Sequence, residues 1–356
     1  MTLERNMTWR KGVLQSGVAG ALGAAVLFGA GTPFAKVLLG HTSPWLLASL
    51  LYLGSGAGLF CLRIIRRAPQ VKLSRAEKGW LAGAIIFGGM IGPVLLMWGL
   101  SQVPASGASL LLNAEGVFTV LIAWFVFREN FDRRIALGMV FIVLGVLVLA
   151  WPGEIRFGEV LPMLSILGAC LAWAIDNNMT RQVSLTDADF IAMMKGLVAG
   201  TTNLVLAVMV GATLPTISTS VLAGVIGFLS YGLSLTLFVV ALRHLGTART
   251  GAYFSIAPFI GAIVAIPLLG ETISLQLIIA GVLMGLGVWL HVSERHEHEH
   301  LHSPLEHEHR HTHDEHHQHS HDVTVPPGTQ HSHPHLHEAI RHTHHHFPDV
   351  HHRHDH

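Results

Sequence analysis

The chain has 356 residues, 51% of them hydrophobic and only 12% charged, well below the roughly 25% charged content of soluble domains. Its formal net charge of zero conceals a division: residues 1–292 carry 18 Lys and Arg against 11 Asp and Glu, whereas residues 293–356 carry 4 against 11 and hold 24 of the 27 histidines. The balance excludes an ordinary soluble domain. The only two cysteines, Cys61 and Cys170, sit in apolar runs and exclude a disulfide framework or a Cys-x-x-Cys zinc site, and no basic-aromatic pattern points to nucleic acid.

In chain order, a short N-terminus (residues 1–12) precedes ten apolar runs, each near the length that crosses a bilayer as a helix. They cover roughly 13–39, 44–64, 79–100, 104–127, 134–151, 157–179, 190–210, 221–242, 250–269 and 275–292. Runs such as "AIIFGGMIGPVLLMWGL" lack the period-two alternation of a barrel strand, so helices are predicted. The first run follows Arg10 and Lys11 as a secretory signal would. It is too long for one and lacks an Ala-x-Ala cleavage site, so it is read as a span.

Lys and Arg mark alternate loops. Arg5, Arg10 and Lys11 precede the first span; Arg63, Arg66, Arg67, Lys72, Arg75 and Lys78 join the second to the third; Arg128, Arg133 and Arg134 follow the fourth; Arg181 follows the sixth; Arg243 and Arg249 follow the eighth. The intervening loops hold only Lys36 and Arg156. The positive-inside bias therefore puts both termini in the cytoplasm and the chain in the inner (plasma) membrane.

The sequence repeats. "LGAAVLFGAGTPFAK" at 22–36 matches "LGACLAWAIDNNMTR" at 167–181, offset by 145, pairing Phe28 with Trp173 and Lys36 with Arg181. "AEGVFTVLIAWFVFREN" at 114–130 matches "IAPFIGAIVAIPLLGET" at 256–272, offset by 142, pairing Glu129 with Glu271. Five spans per copy is an odd number, so the copies cross the membrane in opposite senses, the pattern of secondary transporters.

With "LLLNAEGVFTVLIAWFVFRE" closing one half and "YFSIAPFIGAIVAIPLLGE" the other, the chain resembles the EamA-type transporters of the drug/metabolite transporter superfamily. The resemblance covers about residues 15–292. It implies a central cavity between spans 1, 3, 4 and 6, 8, 9. The family's usual proline after the span-four glutamate is Gly116 here, while the second copy keeps Pro258, which leaves span four the straighter of the two.

The fold class is thus an all-α membrane protein: ten transmembrane helices as two inverted five-helix repeats (13–151 and 157–292), plus a disordered His-rich tail (293–356). An ionisable group at bilayer depth costs several kcal/mol and usually faces a cavity or a partner. The candidate substrate-binding residues follow from that rule. Glu115, beside Asn113, can hold an ammonium or exchange a proton, or can bond a neighbouring helix. Lys195 can bind an anion, pair with Glu115 or Asp176, or snorkel to the interface. Asp176, Asn177 and Asn178 offer adjacent donors and acceptors, or finish a helix. Pro33, in the corresponding part of the first copy, is expected to interrupt span one. Trp173, Phe28, Tyr231 and Tyr253 can line the cavity or anchor spans. Glu129 and Glu271, at span ends, are expected to be caps or loop partners.

In the tail, His296, His298, His300 and His302 form one comb and His307, His309, His311 and His313 another. Imidazoles at every second position of an unfolded chain can bind Zn, Ni, Co or Cu. No nucleophile-base pair, phosphate loop or Walker signature is present, so no enzyme and no required cofactor are expected. The expected function is secondary transport, in the export direction, of a small organic metabolite or drug-like solute by alternating access. The alternative is efflux of divalent Ni, Co or Zn with the tail as collector or sensor. A membrane sensor that transports nothing is the third reading. The expected partners are the lipid bilayer, a small-molecule solute and transition-metal ions at the tail.

Overall fold

The structure, a computed structural model, describes residues 16–127, 133–150, 157–184, 186–292, 297–301, 305–311, 331–337 and 341–345. Among them the body up to Glu294 is helical: α1 Ser16–Leu39, α2 Pro44–Ile65, α3 Arg75–Ala84, α4 Gly92–Gln102, α5 Ala105–Leu111, α6 Ala114–Phe125, α7 Arg133–Ala150, α8 Phe157–Gln182, α9 Ala188–Met209, α10 Ile217–Gly227, α11 Ser234–Phe254, α12 Ala257–Leu269 and α13 Leu275–Val292. A π-helical stretch, Ile85–Ile91, fuses α3 to α4, and another, Phe228–Leu233, fuses α10 to α11. Among the described residues seven helical stretches are long and apolar enough to cross a membrane, and three shorter apolar helices stand at the predicted fifth, ninth and tenth spans. The outer faces carry exposed apolar side chains such as Leu147, Leu222, Ile263 and Val282, a surface suited to lipid rather than water.

The interior is built from small residues, as helix packing in a membrane requires, because van der Waals fit replaces the hydrophobic effect there. Gly56 of α2 lies against Gly196 of α9 so closely that a Cβ on Gly56 would come within 2.4 Å of the Leu197 backbone nitrogen. Leu53 opposes Gly200, and Leu59 packs with Ala192 and Met193. Rising along α2 means descending along α9, so the two run antiparallel. The same holds for α7 and α13, where Gly145 meets Ala280 and Met284 while Ile142 meets Gly287. These helices are the second and seventh, and the fifth and tenth, of the predicted spans. The other major contacts also come in matching pairs. Helix α1 packs on α11 and α12, and α8 packs on α4 and α6.

The irregularities repeat at the sequence offset. The π-helical stretches begin at Ile85 and Phe228, 143 residues apart. The chain breaks between α5 and α6 at Leu112–Asn113 and between α11 and α12 at Ser255–Ile256, again 143 apart. Two expectations are corrected here. Helix α1 continues through Pro33 where an interruption was expected. A proline removes one backbone donor and need not unwind a helix that its neighbours hold in place. Span four is as broken as span nine, although it has Gly116 where its counterpart has Pro258. Pro258 sits in the first turn of α12, where its missing N–H has no intrahelical partner to lose. Proline therefore follows the break and is not its cause. In addition, the loop predicted between spans eight and nine is helical, since α11 runs on to Phe254.

The tail, a unit of its own from Arg295 onward, is described only in part. Strand β1 Glu297–Leu301 pairs antiparallel with β4 Arg341–His345, and β2 Leu305–His311 pairs antiparallel with β3 His331–His337. Histidine recurs at every second position, the period at which strand residues share one face. The register sets His298 opposite His344, His300 opposite His342, His307 opposite His335 and His309 opposite His333.

Candidate functional site

The site begins with a fixed helix start. Asp187 caps α9, accepting from the Phe190 N–H at 2.8 Å, and also binds the Arg63 guanidinium at 2.5 Å. Lys195 therefore enters the interior two turns into α9, where it is 1% exposed. Its Nζ donates to Asp176 Oδ1 at 2.5 Å, Asp176 Oδ2 at 2.6 Å and Thr180 Oγ1 at 3.2 Å. Thr180 in turn donates to Asp176 Oδ1 at 2.8 Å. Asp176 and Thr180 are four residues apart on α8, the spacing that stacks side chains on one helix face. The ammonium thus has an acceptor for each of its three hydrogens and does not reach the interface.

The first π-helical stretch supports this pair. A Cβ on Gly88 would lie 1.8 Å from Asp176 Oδ2, so the close approach of the carboxylate demands glycine. Pro93, which follows, has no N–H to return to the carbonyl four or five residues back. Those carbonyls are claimed by side chains from other elements. Gly88 O accepts from Tyr52 Oη at 2.7 Å and from Trp173 Nε1 at 2.9 Å, and Gly89 O accepts from Asn203 Nδ2 at 3.0 Å.

Glu115 stands apart from the ion pair. It is the second residue of α6, just past the chain break, and is 9% exposed. Its Oε1 accepts from Asn177 Nδ2 at 2.8 Å, and the same amide reaches Thr119 Oγ1 at 3.3 Å. Among the described residues no cationic side chain pairs with it.

These groups face one cavity. Of the residues singled out in the sequence, Phe28, Glu115, Trp173, Asp176, Asn177, Lys195 and Tyr231 all line it. A second space adjoins the two chain breaks and shares Phe28, Glu115, Asn177, Phe238 and Phe254 with the first. The rings form a connected wall. Phe28 lies 5.6 Å from Trp173, 5.7 Å from Tyr231 and 5.3 Å from Phe254 between centroids.

Three sequence candidates lie elsewhere. Asn113 turns its amide to Leu110 O at 3.1 Å and to Met284 Sδ, toward α13. Asn178 bonds Thr119 O and Ala174 O and joins α8 to α6. Tyr253 packs on Val18, Ala21, Ala241 and Leu245. Each sits one or two residues from a cavity-lining position, and on a helix that turns the side chain to another face. Tyr52, Ser230, Ser234, Phe238 and Phe254 line the cavity but escape the sequence reading. Tyr52 carried a usable signal, a phenol in the middle of an apolar run.

At the molecule's other polar ends, Glu271 accepts from the backbone N–H groups of Ala105 at 2.6 Å and Ser106 at 2.9 Å, the capping role expected of it. Glu129 lies outside the described residues. So do His296, His302 and His313, while His298, His300, His307, His309 and His311 are placed by their backbone alone. Among the described residues no group of three His, Cys, Asp or Glu side chains could hold a metal ion.

A family model for EamA-like transporters matches the chain twice, over residues 15–151 and again over 160–293. The chain belongs to the EamA-like transporter family. A protein named "Uncharacterized transporter" from Methanothermobacter thermautotrophicus is 28% identical over 288 residues, covering 75% of this chain and 83% of its own. The Bacillus subtilis protein named "Uncharacterized transporter YyaM" is 23% identical over 283 residues, covering 75% and 90%. A shorter Pseudomonas fluorescens protein, named as the probable 4-amino-4-deoxy-L-arabinose-phosphoundecaprenol flippase subunit ArnE, is 36% identical over 107 residues. That match takes in 30% of this chain and 91% of the subunit. One solved crystal structure superposes with a TM-score of 0.63 at 16% identity, covering 77% of this chain and 95% of its own, a likeness of fold. This EamA-family chain is accordingly a multi-pass membrane transporter.

Proposed function

We propose that this transporter carries a small organic solute across the inner membrane by alternating access, in the outward direction, with both termini in the cytoplasm and no cofactor. One observation carries the reading. A single cavity holding two carboxylate side chains and one ammonium is lined from both matching halves, by Phe28, Tyr52 and Glu115 from one and by Trp173, Lys195 and Tyr231 from the other. Antiparallel packing of the matching helices is the geometry of an inverted repeat, whose halves can rock about such a site and open it to either side in turn. The loop charges orient the spans, and the paired breaks at Leu112–Asn113 and Ser255–Ile256 supply hinges beside the cavity.

The test is flux through vesicles holding the purified full chain, with labelled organic amines, amino acids, nickel and zinc compared side by side. Counterflow of an organic solute is expected, and deleting residues 293–356 should leave it intact. Metal flux that disappears with the tail would replace this reading with metal efflux. Flux of none of the organic solutes would defeat it.

A further inference from the structure

The cavity presents three charged groups, Glu115, Asp176 and Lys195, and they are not equivalent. Asp176 and Lys195 neutralise each other. Both carboxylate oxygens lie within 2.6 Å of Nζ, and Thr180 takes the remaining ammonium hydrogen. A carboxylate or phosphate solute would find no free donor on Lys195 and would first have to break a buried ion pair. Glu115 has only an amide for company. Ionised, it leaves the cavity with one negative charge that no side chain among the described residues balances, which is costly in a low-dielectric interior. A proton relieves that cost, and so does a bound cation.

The walls say what kind of cation. Phe28, Trp173, Tyr231 and Phe254 form a contiguous ring cluster, and Gly88 O pins Trp173 through its indole N–H. Aromatic faces attract a weakly hydrated organic cation and supply no ligands to a metal ion.

We infer that the cavity takes a solute with one positive charge on a small apolar body, an arylalkyl or alkyl ammonium in chemical class, with Glu115 as its counter-charge and the ring cluster around its body. This deepens the carrier reading and rests on it for the solute's passage, though not for its binding.

Binding to the purified full chain in detergent tests the assignment with three probes of one shape: phenethylammonium, phenethyl alcohol and phenylacetate. The ammonium should bind at least about tenfold tighter than the alcohol, and phenylacetate weakest of all. Glu115→Gln, which keeps the shape and removes the charge, should erase the preference for the ammonium over the alcohol. Glu115→Asp should retain part of it. Phenylacetate binding as well as the ammonium, no binding of any probe, or an ammonium preference that survives in Glu115→Gln overturns the assignment. The comparison on the unaltered chain stands even if a variant misfolds. Binding of the expected pattern with no flux in vesicles would sink the carrier reading alone. Flux of an anion that Glu115→Gln leaves unchanged would sink the cation assignment alone.

Discussion

Lys195 illustrates how an ammonium is kept inside an apolar bundle. Its three hydrogens meet three acceptors, and the carboxylate opposite is held by Thr180 as well. Removing one partner of such a pair leaves the other charged and unmatched. Asp176→Asn or Lys195→Met should therefore each cost about 3–5 kcal/mol of stability, and the double variant should cost clearly less than the two single losses together. Thermal unfolding of the four proteins in detergent checks this. Backbone fit beside the pair matters as much. Gly88→Ala would drive a methyl into Asp176 and should destabilise by about 1–3 kcal/mol or more. Gly107→Ala, in α5 with nothing within 4 Å of the new atom, should be neutral or stabilising by up to about 1 kcal/mol. At this scale the polar residues were legible in the sequence, because each is an exception in an apolar run. Which acid Lys195 would choose was not. Asp176 and Glu115 were both open partners, and the choice depends on how α8 and α6 approach α9.

At the scale of elements, the decisive features are the places where helices depart from regularity. The π-helical stretches and the chain breaks offer carbonyls and N–H groups that a straight helix would have used up. Glu271, in the turn after α12, caps the first turn of α5 and so ties the second half to the first. Lys36, at the end of α1, binds the carbonyls of Leu100 at 2.6 Å and Val103 at 2.9 Å, at the end of α4. Glu271→Ala should lose both hydrogen bonds and cost about 1–3 kcal/mol, and Glu271→Gln, which retains one acceptor, should cost less. A lowered midpoint of thermal unfolding, larger for alanine, is the expected result. The places of the apolar helices and their approximate limits could be read from hydropathy, since about 20 apolar residues have few alternatives in a membrane protein. The breaks could not. Pro33 was expected to mark one and does not, whereas Leu112–Asn113 forms one with no proline nearby.

For the whole molecule, antiparallel packing of α2 on α9 and of α7 on α13 requires that matching helices cross the bilayer in opposite directions. Reporter fusions after residue 130 and after residue 272 should therefore report opposite compartments. The same compartment for both would contradict the inverted arrangement. The His-rich tail is expected to bind nickel or zinc in isothermal titration of the full chain, and loss of residues 293–356 should abolish that heat without changing solute flux.

The sequence by itself determined that this is a multi-span membrane protein with an internal duplication. Apolar length and a repeat offset of 142–145 residues are properties of the chain that no packing can alter. Tertiary structure alone decided which charges cancel and which remains. Lys195 meets Asp176 because α9 and α8 come together around Gly88, a glycine that leaves room for the carboxylate. Glu115 is left to the Asn177 amide because, among the described residues, no cationic side chain pairs with it at the start of α6. Electrostatic pairing depends on distances of a few ångströms between helices remote in sequence, and only the assembled bundle sets them.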